Sequence, residues 1–397
     1  MDSRTGHLPS HLTRLTAGCI ALMLLAGGAA AQTSRTGLEI GGVPAVNFDS
    51  DEGFGYGAIA ELYEYGAGDL APYVWTVQPT VFLTTEGRRD VTLFFDAPHL
   101  LPGRWRLDVY LGVEKHVATP FYGFGNDTER SSTEPNLFYR FARTRNSALF
   151  NLQRHVAESP LRVLFGGGIA RTTVNPYARD ATDSRFAIDV SSSEEQIWTN
   201  HVRGGLVWDT RDRQTAPRRG AWTELLVQWI DEGIGADVAF IRWTVTDRRY
   251  VSFGDRVVFA NRLLFQGVGP DAPAHELFVV QTSFKQQEGL GGAKTVRGIF
   301  KNRFTGRGTF LWNAELRWRA SDFELWGRPF HTVVSGFLDQ GRVWAGPVRL
   351  SESLQDLHRG YGAGVRLGMG ENFTVAADLG RSTEAGTQVY IGLGYLY

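Results

Sequence analysis

The stretch from Trp105 to Glu114 reads WRLDVYLGVE. Trp105, Leu107, Val109, Leu111 and Val113 share one parity; Arg106, Asp108, Tyr110, Gly112 and Glu114 share the other. Successive side chains of a β-strand point to opposite faces, so this stretch is a strand with one apolar and one polar face. The pattern recurs outward along the chain. Phe310, Trp312, Ala314, Leu316 and Trp318 oppose Leu311, Asn313, Glu315, Arg317 and Arg319. Tyr361, Ala363, Val365, Leu367 and Met369 oppose Gly362, Gly364, Arg366 and Gly368. Val389, Ile391, Leu393, Tyr395 and Tyr397 oppose Gln388, Tyr390, Gly392, Gly394 and Leu396. Alternation over about 9–11 residues fits a tilted transmembrane strand, where an ordinary globular strand runs about 5–6. Several apolar faces end in aromatic rings, as lipid-facing bands do at the two interfaces. The polar faces, rich in Gly and Arg, suit a crowded lumen better than the solvent face of a soluble β-sandwich, the competing reading.

Composition narrows the choice. The 397 residues include 41 Lys+Arg against 42 Asp+Glu, a net charge of -1 that provides no basic face for nucleic acid. Forty-seven Gly accompany 25 Phe, 13 Tyr and 11 Trp, and that aromatic company separates the chain from disordered Gly-rich sequences. A mean hydropathy of -0.20 excludes a bundle of membrane helices and leaves a membrane β-barrel open. Cys19 is the single cysteine, so neither a disulfide framework nor a cysteine metal cluster is expected. The 9 His are scattered without ligand spacing, so no metal and no cofactor is expected.

Residues 1–31 read as a secretory signal peptide: Arg4 and Arg14, an apolar run from Leu15 to Gly28, then Ala29-Ala30-Ala31. A short segment, 32–41, precedes the first strand-like stretch, Gly42 to Phe48. A separate periplasmic domain of roughly 70 residues has no room there. Residues 42–397 form one domain, broken at Leu101-Pro102-Gly103, Glu158-Ser159-Pro160, Pro217-Arg218-Arg219-Gly220 and Gly327-Arg328-Pro329. About 366 residues at roughly 23 per strand and connection give about 16 strands, an even number as in bacterial barrels. The expected fold is all-β: a transmembrane antiparallel β-barrel in the bacterial outer membrane.

Three motifs carry a resemblance. Val296-Arg297-Gly298-Ile299 lies in a Gly-rich run that begins at Gly289. Asn313-Ala314-Glu315-Leu316-Arg317 follows, and then Phe337-Leu338-Asp339-Gln340-Gly341-Arg342-Val343-Trp344. With Asp209-Thr210-Arg211-Asp212, the run Tyr122 to Thr128 and an aromatic C-terminus, they resemble the Omp85 superfamily, also called the bacterial surface antigen (D15) family. The loop motif of that family is Val/Ile/Leu-Arg-Gly-aromatic; here Ile299 takes the fourth place and Phe300 follows it.

The resemblance implies a long loop, about Ser283 to Phe304, folded back into the lumen. Glu315 and Asp339 lie on the inward parity of their strands. A guanidinium is a planar fork of donors, so Arg297 is expected to bridge Asp339 and Glu315. Asp209 and Arg211 share a strand face and are expected to fill the lumen electrostatically. Tyr395 and Tyr397 are expected to end an outward apolar row, which the resemblance identifies with the signal read by the barrel-assembly machinery.

The function implied is insertion of barrel proteins into the outer membrane, or movement of polypeptides across it, through a seam between first and last strands. Family members usually carry periplasmic POTRA domains that receive the substrate; residues 32–397 offer none, so a separate POTRA-bearing partner is one expectation. The alternatives are a passive or substrate-selective channel, and a structural surface-antigen barrel. No enzyme activity is expected. Lys294-Thr295 imitates the end of a phosphate loop, but Glu288 and Ala293 stand where that motif needs Gly. His331 and Ser335 share a parity without a surrounding nucleophile motif.

Overall fold

The computed structural model describes residues 36–49, 53–70, 72–101, 104–177, 183–283, 286–325, 327–369 and 373–397. The signal-peptide stretch 1–31, and Pro102 and Gly103 of one expected break, lie outside the described residues.

Long strands dominate: β1 (Leu38–Asp49), β2 (Gly53–Glu64), β3 (Trp75–Thr84), β4 (Arg88–Leu101), β5 (Trp105–Pro120), β6 (Arg140–His155) and β7 (Leu161–Asn175). Next come β8 (Glu195–Trp198), β9 (His201–Asp209), β10 (Gly220–Ile230), β11 (Phe240–Phe253) and β12 (Val257–Val268). Two tiny strands follow, β13 (Val279–Val280) and β14 (Gln287–Glu288), then β15 (Gly308–Leu325), β16 (Arg328–Trp344), β17 (His358–Met369), β18 (Phe373–Ser382) and β19 (Gly386–Leu393). Neighbours in sequence pair antiparallel, and β1 returns to β19, so the sheet closes. Both β8 and β9 pair with β7 end to end, as two halves of one broken stave, and among the described residues the barrel has 16 staves. Closure pairs the backbone groups of the wall within the sheet, as hydrocarbon requires, except along part of the β1–β19 seam. The first strand begins at Leu38, ahead of the Gly42 expected, because Leu38 to Gly41 already pair with Glu61 to Glu64.

Alternation decides what faces where. In β5, Arg106 and Asp108 are buried inside while Leu111 and Val113 are exposed on the outer wall. Exposed aromatic rings gather at two levels of that wall. Trp208, Phe253 and Trp318 lie toward the end that carries the termini, and Trp198, Trp229 and Tyr361 toward the opposite end. These are the two girdles of a membrane barrel.

Two features interrupt the regular wall. At the closing seam, among the described residues, the β1–β19 ladder registers only Phe48 with Ile391 and Asp49 with Tyr390. The same β1 pairs with β2 over its whole length. The C-terminal tail explains the short seam and corrects the outward row expected for Tyr395 and Tyr397. Strand β19 stops at Leu393, Gly394 takes a left-handed φ of 75°, and the chain turns into the lumen. There the Tyr397 hydroxyl donates to the Ala260 carbonyl (3.0 Å), and Arg317 donates to the Tyr397 carbonyl (3.1 Å). The Tyr395 ring lies under the Arg317 guanidinium at 4.2 Å. Period-two reading cannot register a residue that leaves the strand.

The second feature is the connection from β12 to β15, residues 269–307, whose described residues fold into the lumen. It is longer at both ends than the Ser283 to Phe304 expected. A short 3-10 helix (Ala274–Phe278) and the β13–β14 ribbon give it internal structure. Leu290, Val296, Ile299 and Phe304 pack with Leu264, Leu311 and Val343 of the wall in one buried apolar cluster.

Candidate functional site: the latch of the lumen loop

Arg297 sits at the tip of the inserted loop with 1% of its surface exposed. Its Nε donates to Asp339 Oδ2 at 2.7 Å and its Nη2 to Asp339 Oδ1 at 3.2 Å, a two-pronged grip from one edge of the fork. The other edge donates through Nη1 to Glu315 Oε2 (2.9 Å) and Asp378 Oδ2 (3.2 Å). The Arg297 backbone N–H adds a bond to Asp339 Oδ2 at 3.1 Å. The Phe337 ring lies under the guanidinium, 3.4 Å from Cζ to centroid, and covers the face that the carboxylates leave open. Burial presses against the charge, but Asp339, then Glu315, outweigh it and hold the Arg297 pKa above its ordinary value.

The motif on β16 is therefore a receptor for the loop. Phe337, Asp339 and Gly341 all point inward, as residues of one parity must. A Cβ at Gly341 would stand 2.6 Å from Leu290 Cδ1, so the missing side chain is what admits Leu290 of the loop. Asn313 on β15 completes the cradle, donating to Asp339 Oδ1 (2.8 Å) and to the Thr295 carbonyl (2.7 Å). Gly298 has a φ of 91°, and a Cβ there would lie 2.7 Å from the Arg381 nitrogen. Only Gly satisfies both the backbone and the space.

Several contacts of the latch were not expected from the motifs. Arg366 on β17 donates to Asp378 Oδ1 (2.5 Å) and approaches Glu315 at 3.6 Å; Arg317 donates to Glu315 Oε1 at 2.9 Å. Glu315 thus keeps two other cations, so removal of Arg297 would fall hardest on Asp339. Tyr390 of β19 accepts the Gly298 N–H at 3.0 Å, and the Ser382 hydroxyl of β18 donates to the Gly298 carbonyl at 2.5 Å. Asp378 and Tyr390 fall on the inward parity of their strands, the one signal that could have placed them. Period two cannot say which inward residues meet.

A second anchor went unread in the sequence. Glu276, 2% exposed on the short 3-10 helix, accepts from Arg145 of β6 (2.5 Å) and Arg242 of β11 (3.0 Å). Burial raises the Glu276 pKa, but Arg145 and Arg242 reverse that and hold it well below the usual carboxylate value. Between the two anchors, Asn151 donates to the Ser283 carbonyl (2.9 Å) and the Ser283 N–H donates to Glu224 (3.2 Å). The run Tyr122 to Thr128 lies over the loop: Gly125 N–H donates to the Thr305 carbonyl (2.8 Å), and Arg303 donates to Thr128 Oγ1 (2.8 Å).

The remaining expected site residues lie elsewhere. Strand β9 ends at Asp209, and Arg211 lies beyond it, so the two do not share a strand face. They pair at 2.9 Å at the end that carries the termini, with Arg211 stacked over Trp222 at 4.3 Å. That arrangement closes a turn and takes no part in the latch. Trp344 ends β16 and donates through Nε1 to Glu352 at 3.1 Å.

Comparison with known proteins places this architecture. The chain is similar in structure to BamA from Haemophilus ducreyi lacking POTRA domains 1-3, with a TM-score of 0.59 and 13% identity over 91% of this chain and 70% of that one. It is also similar to CdiB from Escherichia coli, with a TM-score of 0.57 and 14% identity over 92% of this chain and 63% of that one. At such identities the likeness is one of fold. No curated protein matches the sequence. The model of the Omp85 superfamily domain matches residues 80–381, and the chain belongs to the Omp85 superfamily.

Proposed function

We propose that this barrel inserts polypeptides into the outer membrane, or passes them across it, at the β1–β19 seam, with a separate periplasmic partner delivering the substrate. The short seam carries this reading. Among the described residues, β1 ahead of Phe48 has no registered partner on its seam side, and beyond Leu393 the chain leaves β19 for the lumen. An unpaired strand edge is a template for another strand, so a substrate strand has a place to add. The latch bears on the same spot, since Tyr390 binds Gly298 and stands opposite Asp49.

A passive channel is the other reading, and the filled lumen speaks against it. The described residues of the loop 269–307 occupy the interior, and the loop is anchored at both Glu276 and Arg297. A planar-bilayer measurement separates the two: the insertion reading expects low conductance from the wild type.

The direct test locks the seam. A Cβ on Gly392 would lie 4.0 Å from Asn47 Oδ1, and Cys19 is the single native cysteine. The pair Asn47→Cys and Gly392→Cys, oxidised in proteoliposomes, should stop assembly of a urea-unfolded barrel substrate, and reduction should restore it. Equal assembly with the seam oxidised and reduced would overturn the proposal.

A further inference from the structure

Strands β15 and β16 outrun the strands beside them. The β12–β15 ladder ends at Val257–Trp318, while β15 and β16 go on pairing to Leu325–Arg328. On the other side the β16–β17 ladder ends at Phe330–Met369. This overhang lies at the end that carries the termini. Turns there are short, as between Phe253 and Val257, and connections at the opposite end are long, as between Pro120 and Arg140, which makes it the periplasmic end. Trp318 belongs to the aromatic girdle at that end. Seven residues at about 3.3 Å each, on a strand tilted by about 40°, carry the tip of β15 roughly 18 Å past it.

The two edges of the overhang differ. Exposed edges are ordinarily kept short or blocked by proline and lysine. The β16 edge is short and blocked: only Arg328 and Pro329 lie beyond its ladder, and Pro329 has no N–H to offer. The β15 edge is longer and carries no proline. Its root is closed, because the Arg319 N–H donates to the Arg256 carbonyl (2.8 Å) and Arg256 Nη1 donates to the carbonyls of Arg319 (3.2 Å) and Ala320 (3.4 Å). From Ser321 to Leu325 no partner is registered on that side among the described residues, and all five residues are exposed. A bulge between Arg319 and Ser321 sets their faces. Ser321 and Phe323 stand opposite Thr332 and Phe330, and the Phe323 ring stacks on Phe330 at 5.6 Å, with Leu325 on the same face. Asp322 and Glu324 take the other face, Asp322 with Arg319 at 2.5 Å.

We infer that the β15 edge, Ser321 to Leu325, receives an extended strand of the periplasmic partner, one that alternates apolar and basic side chains. A strand edge without a neighbour presents main-chain donors and acceptors, which specify another strand. Phe323 and Leu325 select apolar residues on one face, and Asp322 and Glu324 select lysine or arginine on the other. A second copy of this chain does not fit, because antiparallel pairing of two such edges sets carboxylates against carboxylates. The inference rests on the proposed delivery of substrate by a separate partner and gives that partner its docking place.

The test uses the folded full-length chain in a neutral detergent at low salt, with fluorescence anisotropy of labelled seven-residue peptides. One peptide alternates lysine and valine, the second alternates glutamate and valine, and the third is the lysine peptide N-methylated at every amide. The lysine peptide should bind about tenfold more tightly than either of the others, and its lead over the glutamate peptide should shrink as salt rises. The double variant Asp322→Lys with Glu324→Lys, changed at two exposed positions, should reverse the order of the first two peptides. Equal binding of the lysine and glutamate peptides by the wild type overturns the inference, whatever the variant does. Undiminished binding of the N-methylated peptide overturns it as well, since main-chain pairing then plays no part. So does an unchanged order in a double variant whose heat-shifted gel mobility shows a folded barrel. Binding is read here without assembly, and the seam lock without a peptide, so either reading can fail while the other stands.

Discussion

Replacing Arg297 should loosen one arm of the lumen loop and leave the barrel standing. In Arg297→Ala, Asp339, at 0% exposure, keeps Asn313 as a donor but loses the cation that grips it at 2.7 Å. Glu315 keeps Arg317 and Arg366, and Asp378 keeps Arg366. Breaking a buried pair and stranding one charge costs about 3–5 kcal/mol. That cost falls on the docking of 289–304, because the ladders of β15 and β16 do not pass through Arg297. At about 1.4 kcal/mol per tenfold, amide hydrogen exchange in this segment should accelerate by roughly two to three and a half powers of ten. The segment around Glu276, held by its own clamp, should change little. Arg297→Lys should recover only a small part, since a point charge cannot reproduce the grip on Asp339 or the stacking on Phe337. Adding Asp339→Asn to Arg297→Ala should recover more than Lys does, because it removes the stranded charge. Acceleration below about tenfold in Arg297→Ala, or equal exchange in the single and double variants, would refute the reasoning.

Four further outcomes follow from the same geometry. Glu276→Gln should free the other arm, with exchange across 270–283 rising while 289–304 keeps its protection, because Arg145 and Arg242 lose their shared carboxylate. Burial lowers the His275 pKa to about 4, with Glu276 opposing and Arg145, Arg143 and Arg242 adding to the fall. The undocked arm then takes up a proton near the ordinary value of about 6.5 while the docked arm does not, so docking weakens as pH falls from about 6.5 to about 4, by at most about 3 kcal/mol; exchange at pH 5 and 7 in wild type and His275→Phe reads this. Gly298→Ala should expel the tip by combining a left-handed φ with a 2.7 Å clash at Arg381, at about 1–3 kcal/mol for the strain alone, and a tryptic cut after Arg297 would report it. Deleting Tyr395 to Tyr397 should leave a heat-shifted barrel after refolding in detergent, because β19 ends at Leu393; failure to refold would show that the tail is required for closure.

The wall was legible because period two is a local property. One window, Trp105 to Glu114, already shows which residues meet lipid and which meet the lumen. The grip of Arg297 on Asp339 and Glu315 was legible for a different reason, since the three positions stand in recurring motifs. Glu276 had neither advantage. Its partners Arg145 and Arg242 are brought to it by closure of the barrel, and no window of sequence contains all three. The tail misled the reading because Tyr395 and Tyr397 keep the parity of β19 after the backbone has left it at Gly394. Parity assigns a face only while the φ values stay extended. Alternation says nothing of Gly360 and Gly380, yet a Cβ on either would strike the Arg297–Gly298 backbone, at 1.8 Å from the Arg297 carbonyl oxygen and 2.6 Å from the Gly298 nitrogen.

Those two glycines bear on how loop and seam communicate. Gly360 and Gly380 belong to β17 and β18, and the loop tip lies directly on both, then reaches Tyr390 on β19. Three consecutive staves at the closing edge are thus bridged from inside by one peptide segment. Among the described residues the seam itself registers only Phe48–Ile391 and Asp49–Tyr390, so the Tyr390 contact to the latch adds a second hold on a last strand that the first strand grips briefly. If the tip lifts, Tyr390 loses the Gly298 N–H and Ser382 loses its carbonyl acceptor, and β19 is left with β18 and a short contact to β1. The coupling is reciprocal: whatever pulls β19 from β1 strains the Tyr390 contact and weakens the hold on the tip. Under the insertion proposed at the seam, Arg297 would be less a filler of the lumen than the fastener of the edge, and its grip would set how readily a strand is admitted there.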